Sequence, residues 1–464
     1  MAGERSGKLA GLMDRNELAA LDKDALIELI LRLYERVTEL EARLGRPPKT
    51  PGNSSVPPSA GPKPNRDERR RKKRGPKRGH QGLSRRRAAP DLIVRCRPTV
   101  CRGCGAALEA TGQRRVRRSQ VIELPELRPV VVEAQVYAAR CVRCGERTMG
   151  EAPAGLESTR TFGPRVEALL GYLHYGHHLS HERLVTVCDS VFGLRISEGA
   201  IASALARLAV RAQPEVDAIR EAVRASPAIN SDETGVRVDG RNWWHWVFQT
   251  PAASYHVIVP SRGADIVARF LGEARPEVWG SDAFPTQFAA PAAQHQLCLS
   301  HQIRDLTYAV EADGSAGALW ARELRHVFSR ALRLHRERGQ VTPTTFANRR
   351  VRVERAADRL IFGVPIGVGE AWQLQKRYRR HHGKLFVCLH RDDVEPTNNS
   401  SERDLRNSVI HNKVTGGYRS RRGAEQGAIF ATLLTTARKL RQNAYERLCS
   451  IAGPSPLHAV GIPS

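Results

Sequence analysis

The chain has 464 residues, 41% of them hydrophobic, which is too long for one ordinary domain and predicts three or four units with a real core among them. The formal net charge is +26 and the isoelectric point about 10.4, a surplus that points to a polyanionic partner rather than to any particular fold. Nucleic acid is favoured over an acidic membrane surface: no apolar stretch approaches the roughly 20 residues that span a bilayer, and the opening MAGERSGKLAGLMDRNE lacks the apolar centre of a signal peptide. A soluble cytoplasmic protein is expected. Nine cysteines are an odd number, and four of them form two CxxC pairs, which suits metal ligation better than a disulfide scaffold.

Residues 15–45 carry Leu26, Ile30, Leu33, Val37, Leu40 and Leu44 at spacings of 4, 3, 4, 3 and 4. β-branched residues fall at one seam position and leucines at the other, as in parallel two-stranded coiled coils, so a zipper pairing two copies is expected. Gly45, Pro47 and Pro48 end this helix. Residues 46–90 then read as a linker rich in Pro, Ser and Gly, followed by the run RDERRRKKRGPKRGHQGLSRRR. That run has too few apolar residues to bury, and Arg70, Arg71, Lys72, Lys73, Arg74, Lys77 and Arg78 are candidates for binding DNA phosphates.

Residues 91–155 hold CRGCG, with Cys101 and Cys104, and CVRCG, with Cys141 and Cys144. Each pair supplies one edge of a tetrahedral Zn²⁺ site, and the glycines permit the tight turn around it. The intervening VIELPELRPVVVEAQVYAARC reads as strand, so a zinc-binding module is expected. Cys188, Cys298, Cys388 and Cys449 have no such partner and read as core residues. Residues 160–215 are helical: one helix near 180–191, a turn at Gly193, Ser197 as N-cap, and a second helix to about Val210. This has the outline of a DNA-reading helix-turn-helix, with Arg207 as the main side chain suited to base edges, or it is a plain helical connector.

From residue 225 the period changes. PAINSDETGVRV, NWWHWVFQT and SYHVIVP read as three strands separated by turns at Asp239-Gly240 and Pro251; GADIVARFLGEA follows as a helix, and EVWGSDAF as a fourth strand. Three antiparallel strands, a helix and another strand open a ribonuclease-H-like fold. In that order Asp232 and Asp282 lie on neighbouring strands. Strand parity separates Asp232 and Thr234 from Glu233, so one of the two adjacent acids meets Asp282. Phosphoryl transfer with two Mg²⁺ ions needs a further oxygen donor. Downstream candidates are Asp392, Asp393, Glu395, Glu402 and Asp404, and Glu402 also has capping-box spacing from Asn399.

Taken in order, the zipper, PGNSSVPPS, GHQG, the paired CxxC module, HHLSHERL, SDET, GSDAF, HQLCLSHQIRDL, NNSSERDLR and GGYRSRRGAEQGAIFATLLTTARK resemble transposases of the insertion-sequence-66 family over nearly the whole chain. The resemblance implies a multidomain α+β protein with a DDE catalytic domain over residues 225–448 and a helical insertion at about 306–391. By motif, the acidic trio becomes Asp232, Asp282 and Glu402, with separations of 282 − 232 = 50 and 402 − 282 = 120. It further implies Mg²⁺ (or Mn²⁺) at that trio, Zn²⁺ at the cysteines, double-stranded DNA as transposon ends and target, a homodimer or larger assembly, accessory proteins of the same element, and a place at the bacterial nucleoid. Arg406, four residues after Glu402, and Lys413, Arg419 and Arg422 become candidate DNA contacts. One departure is CLSH, which keeps Cys298 and His301 but lacks the family's aromatic. The rival readings are a catalytically silent DNA-binding relative and a nuclease of the same fold acting on another substrate. The complete acidic trio favours the transposase over the silent relative.

Overall fold

The computed structural model describes residues 24, 27–28, 30–33, 47–54, 86–156 and 161–459. Most of the heptad seam, and the basic run from Arg70 to Arg78, lie outside the described residues. The chain is a mixed α+β protein that divides into two compact units: Lys63–His174, Leu179–Leu208 and Ala452–Ser464 form one, and the remainder forms the other.

In the first unit each CxxC forms the same turn. Cys101 N donates to Ala106 O (2.8 Å) and Gly105 N to Cys101 O (2.9 Å); Cys141 N donates to Glu146 O (2.8 Å) and Gly145 N to Cys141 O (2.8 Å). Gly105 and Gly145 have φ of 74° and 75°, a left-handed conformation that a side chain would strain. The text between the turns is less regular than its composition predicts. Only β1 (Ala138–Arg140) pairs with β2 (Arg147–Met149), and residues 119–137 form no strand. Pro125 and Pro129 interrupt that stretch, and each lacks the N–H a ladder requires.

Helix α1 (Pro164–Gly171) is followed by α2 (His181–Phe192), whose Ser180 cap accepts from Arg183 N. Gly193 ends α2 at φ 61°, and Ser197 Oγ accepts from Ala200 N at the start of α3 (Glu198–Arg224). α3 therefore begins where the sequence predicts but continues past Val210, because apolar residues recur at helical spacing through Val216, Ile219 and Val223 despite Pro214. Arg207 on this helix donates through its guanidinium to the buried Glu167 carboxylate (3.0 and 2.8 Å) while its side chain stays 37% exposed.

The second unit is built on a five-stranded sheet of order β5-β4-β3-β6-β7, comprising β3 (Ala228–Val238), β4 (Arg241–Gln249), β5 (Ser254–Val259), β6 (Val278–Ser281) and β7 (Gln294–Leu297). The first three are antiparallel; β6 and β7 run parallel to β3. The β3–β4 hairpin turns on Asp239 (φ 49°) and Gly240 (φ 69°), the pair of positive φ values that a two-residue turn between right-twisted strands requires. Helix α4 (Ala264–Leu271) lies between β5 and β6 in sequence and covers one face, where Phe270 stacks on Phe248 at 3.9 Å between ring centroids. After β7 come α5 (Leu299–Ala312), α6 (Ser315–Arg336), α7 (Pro343–Ile361), α8 (Glu370–Arg380) and the short α9 (Val387–His390), packed around Leu306, Leu324, Phe328, Tyr378 and Phe386. The chain returns to the sheet as α10 (Asn399–Thr415) and α11 (Arg421–Lys439), and ends in α12 (Ala444–Ala452) and the short α13 (Pro456–Ala459).

α10 and α11 cover the other face of the sheet through an unusually polar layer. Asp404 accepts from Ser254 Oγ, Arg438 (2.7 Å) and Lys439 (3.0 Å), while Thr432 and Thr436 accept from the backbone N–H of His256 and Ser254. His245 Nε2 lies 3.0 Å from His256 Nδ1, whose Nε2 lies 3.1 Å from Thr435 Oγ1. Burial, with the Lys439 and Arg438 charges added, pushes His256 down to about 3. A neutral imidazole is thus part of the fold. Its stabilisation is complete above the unfolded value of about 6.5 and is lost as pH falls toward 3, because the unfolded chain takes up the proton first. Unfolding in urea at pH 7 and pH 5 should show about 2 kcal/mol lost to this residue. In His256→Gln the pH slope should be shallower by that amount; an unchanged slope would contradict the neutral-pair reading.

Candidate active site

The parallel register of β3 and β6 pairs Ala228 with Val278, Ile229 with Trp279 and Asn230 with Gly280. Continued by two residues, it sets Asp232 beside Asp282, the acid that follows the end of β6. Asp232 is crowded by negative charge. Burial first, then the charges of Asp282, Glu233 and Glu402, hold its carboxyl well above the usual range. Its Oδ1 accepts from Glu233 N, and Asp282 Oδ1 accepts from Phe284 N, both at 2.9 Å.

Parity sends Glu233 to the opposite face, where it has another task. Its carboxylate accepts from Arg262 (2.9 and 2.8 Å) and from Gln287 Nε2 (2.7 Å), and its side chain is only 1% exposed. Arg262 is itself held between the rings of Trp244 and Phe284, at 4.4 and 3.9 Å. Glu233 thereby braces the loop that presents Asp282.

Glu402 reaches the site from the first turn of α10. The N-cap is Asn398, not Asn399, and its side chain makes no cap bond to the backbone, so Glu402 is not the partner of a capping box. Glu402 Oε1 instead accepts from Arg304 Nη2 on α5 (3.0 Å) and lies 3.4 Å from His301 Nε2. Burial and the Arg304 charge push His301 down, with Glu402 and Asp282 pulling the other way. Of the other downstream acids, Asp404 is buried in the polar layer and Asp393 pairs with Arg391, while Asp392 and Glu395 are exposed. Among the described residues no three His, Cys, Asp or Glu side chains are drawn together closely enough to hold one ion.

Asn398 is the residue that sequence reasoning missed. It is 1% exposed. Its Nδ2 donates to Ser231 O (2.8 Å), its backbone N–H to Cys298 Sγ (3.1 Å), and its Oδ1 accepts from Ser401 Oγ (2.7 Å) and Asn230 Nδ2 (3.4 Å). Gly280 leaves room for that network, since a Cβ there would lie 2.7 Å from Asn230 Oδ1. Arg304 was also missed: it stands 98 residues from Glu402, and nothing local announces the pairing.

The basic candidates lie on the surface. Arg406, Lys413, Arg419 and Arg422 are exposed, with Arg406 one turn beyond Glu402 on the same helix. The glycines before Arg419 are structural: Gly416 ends α10 at φ 75°, and a Cβ on Gly417 would meet Arg237 O at 2.4 Å. Of the cysteines, Cys188, Cys298 and Cys388 are buried, and Cys449 is partly so. In both CxxC turns backbone N–H groups point at the first sulfur: Cys104 and Gly103 lower the Cys101 thiol, and Cys144 and Arg143 lower that of Cys141.

The helical segment, the sheet, the long helical return and the start of α11 together make up a transposase. This region, residues 160–426, matches the family described as Transposase IS66 family, and the chain belongs to that family. No protein of curated function matches the chain. No helix among the described residues is long and apolar enough to cross a membrane.

Two substitutions check the bracing of the site. Glu233→Ala leaves Arg262 and Gln287 unsatisfied and should destabilise the protein by about 1–3 kcal/mol, with faster amide exchange at residues 283–289. Gly280→Ala displaces Asn230 and should cost about as much. Wild-type exchange in the 283–289 loop of Glu233→Ala would argue against the brace.

Proposed function

We propose that the protein is a DDE transposase that cuts DNA at transposon ends and joins the freed 3′-hydroxyl to target DNA, with Asp232, Asp282 and Glu402 as its acidic trio. The observation that carries this reading is the crowding of Asp232 by two acids brought from the end of β6 and the start of α10. A strand order with β3 central, antiparallel to β4 and parallel to β6, supports a ribonuclease-H-like core.

Carboxylate oxygens suit Mg²⁺ or Mn²⁺, and these three side chains would be the ligands, drawn closer together than they stand alone. Bound there, the divalent ions would supply the positive charge that activates a water and stabilises the attacking and leaving oxygens. The chain's own residues do the rest. Asn398 fixes the start of α10 against β3, and Glu233 with Arg262 fixes the Asp282 loop. Arg304 and His301 position the Glu402 carboxylate. Arg406, Lys413, Arg419 and Arg422 offer exposed cations to DNA phosphates near the trio, and the Arg70–Arg78 run adds salt-sensitive affinity.

Zn²⁺ would be held by Cys101, Cys104, Cys141 and Cys144. The turns aim N–H groups at the sulfurs of Cys101 and Cys141 and favour their thiolates, the form that ligates Zn²⁺, and the two pairs would have to come together to complete the site. The zipper within residues 15–45 would pair two copies, and accessory proteins of the same element would complete the assembly at the bacterial nucleoid.

Asp232→Asn should reduce Mg²⁺-dependent cleavage of a labelled transposon-end duplex by at least about 100-fold while leaving end binding nearly intact. Cleavage at the wild-type rate in that variant would remove Asp232 from the trio. Cys101→Ser should lower the zinc content measured by atomic absorption and weaken end binding; unchanged zinc would remove that cysteine from the ligand set.

A further inference from the structure

Residues 47–54 have the composition of a free linker, yet they form a closed turn against the helical layer of their own unit. Asn53 N donates to Thr50 O (3.2 Å), with Pro51 and Gly52 at the centre of the turn, where the fixed φ of proline suits the second position. Ser54 Oγ donates to Thr50 O (2.7 Å). Asn53 Oδ1 accepts from Thr50 N (2.6 Å) and Thr50 Oγ1 (3.1 Å), and its Nδ2 donates to Pro48 O (3.2 Å) and to Glu311 Oε2 on α5 (2.6 Å). All four hydrogen-bonding positions of the amide are thus used. Asn53 and Ser54 are each 5% exposed, and the Lys49 ammonium lies 4.8 Å from the centroid of the Tyr308 ring. Beneath the turn is a groove of about 370 Å³ to which Asp305 and Tyr308 of α5 and Glu370, Gln373, Leu374 and Arg377 of α8 contribute.

An unattached Pro/Gly/Ser linker leaves its polar groups in water. Here one asparagine is buried with every donor and acceptor matched, and its outermost bond goes to a carboxylate 258 residues away in sequence. We propose that residues 47–54 are a docking peptide and that the groove between α5 and α8 is its receptor. Recognition rests on the amide of Asn53, which satisfies the turn with its oxygen and Glu311 with its nitrogen; an aspartate would set two carboxylates against each other.

Docking changes what the N-terminal arm is able to do. Arg66, where the basic run begins, is twelve steps along the chain from Ser54, a reach of at most about 43 Å. The arginines therefore leave from a fixed point on the unit that carries the acidic site, which raises their effective concentration at DNA held there. Only this consequence rests on the proposed transposition chemistry; the docking itself does not.

Amide hydrogen exchange on the full-length protein tests the docking. Peptides covering residues 47–54 should be protected in the wild type, and Asn53→Asp or Glu311→Ala should each raise their exchange about tenfold or more, with β3 and β4 unchanged. The double variant Asn53→Asp/Glu311→Gln reverses the polarity of the contact and should recover part of the protection. Free exchange of 47–54 in the wild type would overturn the proposal. So would protection that survives both single substitutions, or a double variant that exchanges as fast as Asn53→Asp alone.

Discussion

The arrangement of the site depends on the buried amide of Asn398. With the backbone N–H of the same residue it ties together three pieces of chain that are remote in sequence: the side chain bonds the carbonyl of Ser231, next to Asp232, and the hydroxyl of Ser401, next to Glu402, while the backbone N–H donates to the thiol of Cys298, one turn before His301. A buried amide with all these partners matched is strongly orienting, because each bond lost would leave a polar group stranded away from water. The same network sets the space requirement at Gly280. The start of α10, and with it Glu402, is thereby fixed relative to β3 without any contact between the acids themselves.

Around that point the surplus of carboxylates is sorted by partner. Glu233 and Asp404 each neighbour a candidate ligand in sequence, yet each is taken up by fixed cations: Arg262 for the first, Arg438 and Lys439 for the second. Among the described residues no cation offsets the burial of Asp232, and Glu402, paired with Arg304, keeps a side chain that is 39% exposed. Removing an acid from water without a counter-charge is expensive, so Asp232 and its neighbours form the place where an added cation gains most.

Much of the sheet was legible in the sequence. The alternation in β3 to β5, the Asp239-Gly240 turn and the apolar stripe of α4 gave strands and a helix close to those observed. β7 escaped because QHQL is four residues long and three of the four are polar; its buried Gln296 is accommodated through Leu385 O and Cys388 N, far along the chain. The opposite error occurred between the CxxC pairs, where β-branched residues suggested strands that Pro125 and Pro129 interrupt. In the site, parity separated Asp232 from Glu233, but spacing left Glu402 balanced between ligand and helix cap. The contact that holds Glu402, from Arg304, comes from a helix nearly a hundred residues away. The docked turn at residues 47–54 was hidden in the same way, since its composition is that of a linker and its partner Glu311 is distant.

The central claim is that Glu402, rather than Glu233 or Asp404, completes the acidic trio with Asp232 and Asp282. Single-turnover cleavage of a labelled transposon-end duplex by Glu402→Gln, an isosteric change that keeps a hydrogen-bond partner for Arg304, tests it most directly. The account predicts loss of Mg²⁺-dependent cleavage with duplex binding and thermal midpoint close to wild type. Wild-type cleavage by Glu402→Gln would contradict it and return the third position to the other acids.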